Sequence, residues 1–191
     1  MKIIFPIGSF YPSQSGGPNN TIFWLSKSLK KNNFKTTVVT TDKDITNKEI
    51  IFDQFINNDV GKIIYCKEYY YRFPIKLIKN SIKVMDKSDI IHLTSLFYVP
   101  SLILAYFAKK KNKKIVWSVR GELEENALNF NILLKKIYLK IIKNILNKNF
   151  IFHSTSYNET KNINKYFKNS KVIQIPNYIE MPKKQNKNKK E

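Results

Sequence analysis

Glycine is scarce in this chain, with five in 191 residues, yet Gly16 and Gly17 stand side by side in a loop running from Gly8 to Asn20. The loop separates a β-branched run, Lys2 to Ile7, from a helical pattern that begins at Pro18 or Asn19. A strand, a glycine pair and a helix start, in that order, leave unpaired backbone N–H groups at the positive end of a helix dipole, where anions are held. Phosphate or sugar chemistry is therefore expected there, with Asn20 as a side-chain contact. The alternative is a surface loop whose glycines only relieve backbone strain.

In an open α/β sheet, ligands lie beyond the carboxyl ends of the strands, so residues that follow strands supply the other candidates. The run Trp117-Ser-Val-Arg-Gly-Glu carries a strand into Arg120, Gly121 and Glu122. A guanidinium in that position clamps a phosphate or a sugar hydroxyl, while Glu122 accepts from hydroxyls or orients the arginine. The bland alternative is a glycine turn with an Arg–Glu surface pair. His92, at the end of Asp-Ile-Ile-His, is a sugar contact or a satisfied structural residue. His153 precedes Ser154-Thr-Ser-Tyr-Asn-Glu, where Ser156 caps a helix and Glu159 follows at capping-box spacing.

Other chemistries lack their residues. No Gly-x-Gly-x-x-Gly turn is present, so Asp42 reads as a loop or capping residue and not as a ribose acceptor, and no Gly-Lys-Ser/Thr sequence supports NTP hydrolysis. The single cysteine, Cys66, has no partner for a disulfide or a thiolate metal site and fits a reducing cytoplasm. No metal and no bound cofactor are expected.

The elements that must position these residues follow from hydrophobic patterning. Apolar or β-branched runs recur at Lys2–Ile7, Lys35–Thr41, Lys62–Cys66, Asp89–Thr94, Lys113–Val119, Phe150–Ser154 and Lys171–Ile175. Most lack strict alternation, as strands buried on both faces do. Helical stretches lie between them at Asn19–Lys31, Phe73–Asp86, Phe97–Lys111, Leu128–Asn147 and Tyr157–Phe167, whereas Asp44–Asn58 is helix or irregular loop. This alternation predicts an α/β, three-layer Rossmann-like domain over residues 1–180, with a mostly parallel sheet of about seven strands. Residues 181–191 are expected to form a disordered Lys-rich tail.

Length favours one domain, and 42% hydrophobic with 14% aromatic residues argues against disorder. The net charge of +20 comes from 34 Lys plus Arg against 14 Asp plus Glu, but only Arg72 and Arg120 are arginines. A lysine-dominated surface without a recognisable nucleic-acid motif gives no reason to expect sequence-reading contacts to nucleic acid. The opening apolar run is too short for a secretory signal, and Ile90–Ala108 is interrupted by His92, Thr94, Ser95 and Pro100, so it reads as strand, loop and helix. On Leu128–Asn147, Lys136, Lys140 and Lys143 share one side, the pattern of a helix that lies on an anionic membrane or of a solvated face on a core helix.

Taken in order, Phe10-Tyr-Pro-Ser-Gln-Ser-Gly-Gly-Pro, Asp89-Ile-Ile-His, Ser118-Val-Arg-Gly-Glu, Ser154-Thr-Ser-Tyr-Asn-Glu and Ile175-Pro-Asn resemble the N-terminal domain of family 4 glycosyltransferases. The resemblance implies one half of a GT-B enzyme that moves a sugar from a nucleotide-sugar donor to a glycan or lipid-linked acceptor with retention of configuration and without metal. It assigns Gly16 and Gly17 to the donor diphosphate, Arg120 to catalysis, and Gly121, Glu122, His92 and Asn20 to acceptor or sugar contacts. Surface polysaccharide or lipopolysaccharide assembly is the implied setting, in the cytoplasm or peripherally on the inner face of the cell membrane.

Three features depart from the family pattern. Thr94 replaces a second His, Pro176-Asn177-Tyr178-Ile179-Glu180 stands where Pro-Asn-Gly-x-Asp is usual, and no Glu-x7-Glu pair of a donor-binding C-terminal domain occurs. A truncated or split enzyme, inactive without a separate C-terminal domain, is expected. A non-catalytic basic module that binds anionic membrane or phosphorylated ligands is the alternative.

Overall fold

The computed structural model describes residues 1–13, 16–47, 49–146 and 149–178. Its β-branched runs form eight strands: β1 (Lys2–Ile7), β2 (Lys35–Thr41), β3 (Phe55–Asn58), β4 (Gly61–Cys66), β5 (Ile90–Thr94), β6 (Lys114–Ser118), β7 (Phe150–Ser154) and β8 (Lys171–Gln174). They join one sheet in the order β3-β4-β2-β1-β5-β6-β7-β8. Every pairing is parallel except β3 with β4. The helices are α1 (Gly17–Lys31), α2 (Ile75–Asp86), α3 (Val99–Lys110), α4 (Glu125–Asn129), α5 (Ile132–Ile145) and α6 (Tyr157–Tyr166).

Two apolar layers hold the sheet. Ile4, Val39, Ile91, Leu93, Trp117 and Phe152 project from one face against residues of α2, α3, α5 and α6. Ile3, Phe5, Val38 and Ile63 project from the other, where Ile22, Leu25 and Leu29 of α1 cover them. The central strands are buried on both faces, as the unbroken apolar runs require. β7 alternates between buried and half-buried residues, because α1 does not extend across that end of the sheet.

Two elements depart from the sequence expectation. The segment read as helix or irregular loop ends in β3, which folds back on β4 through a two-residue turn with Asn58 opposite Gly61. Gly61 has φ +107, and a side chain there would overlap Thr36, so only glycine fits this turn. The stretch expected as one helix over Leu128–Asn147 is instead two: Phe130 is extended and Asn131 adopts φ 56, ψ 45, a left-handed conformation that asparagine tolerates better than most residues. The tail expected at 181–191 lies outside the described residues. No helix among the described residues is long and apolar enough to cross a membrane.

Candidate functional site

β1 delivers the chain to Gly8, and α1 starts at Gly17, so the intervening loop lies at the carboxyl edge of a central strand. Gly16 occupies φ +90 at the N-cap, and α1 has neither a side-chain cap nor an acidic residue in its first turn. Its N–H groups therefore face outward without an internal anion, although Pro18 removes one donor. Among the described residues, a Cβ built on Gly17 would meet nothing within 4 Å, so they leave the space in front of it open. Asn20 is exposed on the first turn, and the neighbouring Asn19 is the buried one, accepting from the Ser9 hydroxyl at 3.1 Å.

Arg120 follows β6 with φ 58, in the left-handed region. Nη1 donates to Asn177 Oδ1 at 2.7 Å, whereas Nε and Nη2 are buried with no hydrogen-bond partner among the described residues. Burial holds the guanidinium pKa below its ordinary value, against the opposing charge of Glu159. Glu159 fixes the turn itself. From the first turn of α6, its carboxylate accepts from Gly121 N at 2.7 Å, Thr155 N at 2.5 Å and Thr155 Oγ1 at 3.0 Å. Ser156 caps α6 by accepting from Glu159 N at 3.2 Å.

Glu122 is occupied elsewhere. Its carboxylate accepts from the Ser95 hydroxyl and Leu96 N, and from Phe97 N at 3.4 Å, so it anchors the loop after β5. Burial raises its pKa despite these bonds. The expectation that Glu122 orients Arg120 is corrected: β6 turns at Gly121 and carries the glutamate toward Ser95. Gly121 contributes its backbone N–H to the Glu159 anchor.

His92 and His153 meet through Ser118. His92 Nε2 and Ser118 Oγ are 2.7 Å apart, Ser118 Oγ and His153 Nδ1 are 2.7 Å apart, and His153 Nε2 lies 2.9 Å from Ile175 O. A carbonyl only accepts, so His153 donates from Nε2. Neutral His153 then accepts the Ser118 proton at Nδ1, and Ser118 accepts from His92 Nε2. Burial lowers the His92 pKa to about 3 and also lowers that of His153, and the Arg120 charge pushes both the same way. The chain of bonds fixes the segment after β8, which carries Asn177, against β5, β6 and β7.

Strand order reverses around β1, whose neighbours β2 and β5 lead to opposite sides, so the carboxyl edge between β1 and β5 is a topological switch point. Among the described residues, the buried polar atoms without partners lie in the segments that leave this edge, apart from Ser81 Oγ on α2: Tyr98 Oη against Gly8, Thr94 Oγ1 at the end of β5, and Arg120 Nε and Nη2 after β6. Nearby, a cavity of about 260 Å³ is lined by Thr21, His92, His153 and Asn177 along with apolar residues. Such orphaned groups are costly unless an external partner takes them up. Among the described residues, no three His, Cys, Asp or Glu side chains cluster to hold a metal ion.

Sequence reasoning missed Tyr98, Ser118, Glu159 and Asn177 as parts of this arrangement. Glu159 carried a capping signal, Ser118 and Asn177 stood in the motifs of the resemblance without an assigned role, and Tyr98 carried no signal, because their partners are distant in the chain.

No protein-family model matches the sequence, and no curated protein matches it by sequence. Solved structures do match. Sucrose-phosphate synthase from Thermosynechococcus elongatus superposes with a TM-score of 0.61 at 15% identity, covering 92% of this chain and 47% of that one. HepE of Anabaena, solved in complex with UDP-glucose, gives a TM-score of 0.59 at 12% identity, covering 94% of this chain and 44% of its own. The chain thus spans about half the length of each. Its eight-stranded, mostly parallel sheet flanked by helices has the architecture of one half of a GT-B fold.

Proposed function

We propose that this chain is the acceptor-side half of a retaining glycosyltransferase that uses a nucleotide-sugar donor, with Arg120 as the residue that meets the reacting groups. The observation that carries it is the pair of buried, unpartnered nitrogens on Arg120, held by Asn177 and a Glu159-anchored turn. Two converging N–H donors on a permanent cation suit the oxygens of a diphosphate or a sugar hydroxyl. When the glycosidic bond to the donor breaks, negative charge grows on the leaving diphosphate. A preorganised guanidinium in a dry site stabilises that charge without having to reorient.

Gly16 and Gly17 serve the same donor by a different route. The uncapped first turn of α1 offers N–H groups, and the open space at Gly17 admits an anion close to the backbone. The His92–Ser118–His153 chain positions the segment bearing Asn177, which in turn holds Arg120. A complementary half, on the same polypeptide or a second one, supplies most of the donor contacts. Membrane binding alone leaves the buried nitrogens of Arg120 and the open glycine turn unexplained.

The test is calorimetric titration of nucleoside-diphosphate sugars into the chain combined with its donor-binding half. Arg120→Ala is expected to weaken binding by ~10–100-fold, the loss of hydrogen bonds to a charged group. Equal affinity of the variant and the parent for every donor bound would overturn the assignment.

A further inference from the structure

α5 has three faces where a core helix has two. Leu139, Ile142 and Ile145 are buried against the sheet. Lys136, Lys140 and Lys143 form an exposed row at helical spacing. Between these faces runs a second apolar stripe of Leu133, Leu134, Ile137 and Ile141, continued by Phe130 ahead of the helix. Phe130 and Leu133 are each 73% exposed, Leu134 is 54% exposed, and Ile137 and Ile141 are 50% and 41% exposed. The stripe does not stop at the helix: an open groove of about 790 Å³ joins Ile141 to Leu102, Ile103 and Tyr106 of α3, with Lys109 and Lys110 on its rim.

Exposed leucine and isoleucine in a continuous strip are unfavourable in water and mark an interaction surface. The flanking charge identifies the partner. Lysines border the strip on both sides, no acidic residue lies anywhere on α3 or α5, and the whole chain carries a net charge of +20. A helix with apolar side chains beside a lysine row lies in a bilayer interface, with aliphatic groups among the acyl chains and ammonium groups at the phosphates.

We infer that the Phe130–Ile141 stripe, with the adjoining α3 groove, docks this domain on an anionic lipid bilayer. α5 enters from the carboxyl edge of the sheet, and its first half abuts the loop that Glu122 anchors: Tyr138 contacts Phe97 with ring centroids 6.0 Å apart, and Lys135 Nζ lies 5.2 Å from the Phe97 ring centre. Docking therefore brings the edge that bears Arg120 to the membrane surface. Joined to the sugar-transfer proposal, on which this last step rests, it makes the acceptor a lipid-linked one.

Vesicle sedimentation tests the docking without any sugar donor, so failure here and failure of the transferase proposal are separable. The 191-residue chain is mixed with phosphatidylcholine vesicles and with vesicles containing about one-third phosphatidylglycerol. It is expected to sediment with the anionic vesicles and much less with the neutral ones. Leu133→Asp/Ile137→Asp is expected to lower the partition coefficient at least ~10-fold, a loss of roughly 1.4 kcal/mol of transfer energy for the pair. Lys136→Glu/Lys140→Glu should also release the protein, whereas the same charge change at Lys79 and Lys83 on α2 should have a smaller effect. Circular dichroism checks that each variant is folded.

Several results would overturn the proposal: no binding of the parent chain, equal binding to neutral vesicles, or equal loss from the α2 and α5 lysine variants. So would a dimer that Leu133→Asp/Ile137→Asp dissociates, or a donor-binding half that blocks vesicle binding by covering the stripe. The last two would name a second copy or the other half as the occupant.

Discussion

A left-handed backbone at a non-glycine residue costs of order 1–3 kcal/mol, and Arg120 combines it with a desolvated charge that has two unpaired nitrogens. Arg120→Gly relieves both strains while losing one bond to Asn177. The expected outcome in thermal denaturation is unchanged or higher stability, together with loss of sugar transfer by the two-part enzyme. The histidine pair gives a pH signature. Both imidazoles titrate below the ordinary value of 6.5, with His92 at about 3. As pH falls below about 6.5 the unfolded chain takes up protons that the native one refuses, so stability is full above that range and declines toward pH 3. The slope approaches ~1.4 kcal/mol per pH unit for each histidine refusing its proton, and urea unfolding at pH 7.5 and 5 reads it. Ser118→Ala strands ring nitrogens of both histidines and should cost about 1–3 kcal/mol at pH 7.5. Of the candidate-site residues, Gly16, Gly17 and Arg120 stand out in the sequence because their types are scarce and they follow strands. Ser118, Tyr98 and Asn177 were not, since serine, tyrosine and asparagine are common here and their roles arise only when segments far apart in sequence meet.

At the scale of elements, the carboxyl-edge loops are tied by carboxylates that reach across the chain. Glu122 holds Ser95–Phe97, and Glu159 holds Gly121. Removing Glu122 as Glu122→Ala leaves buried backbone N–H groups unsatisfied, and a loss of roughly 2 kcal/mol is expected in urea unfolding. Hydrogen exchange should quicken at Leu96 and Phe97 before the strands are affected. The strands themselves were the most legible elements, because apolar runs such as Lys2–Ile7 and Phe150–Ser154 have one compatible placement in a buried sheet. β3 escaped notice: Phe-Ile-Asn-Asn is short and ends in two asparagines, which strands disfavour, and its strand character comes from pairing at the edge with β4. The break between α4 and α5 was hidden for another reason. Helical periodicity continues across Asn131, and a single left-handed residue leaves no mark on the pattern.

At the scale of the molecule, the order of the strands explains why residues from separate loops converge. β1 sits at the reversal of the sheet, with β5 next to it and β6 beyond β5, and all three send their carboxyl ends to one edge. Charge and composition did not reveal that edge; the order of motifs relative to strands did. Cys66 provides a reporter of the intact fold, because burial pushes its thiol up to about 11. Alkylation at pH 8 is expected to be slow in buffer and to accelerate only through the unfolding transition. By the proposal above, this domain supplies half of a sugar-transfer site through Arg120. The most direct measurement is release of nucleoside diphosphate from nucleotide-sugars by the chain alone, by the chain with its donor-binding half, and by that pair carrying Arg120→Ala or Gly17→Val. The account expects turnover only from the unaltered pair. Brisk turnover by the 191-residue chain alone, or by the Arg120→Ala pair at the parental rate, would contradict it.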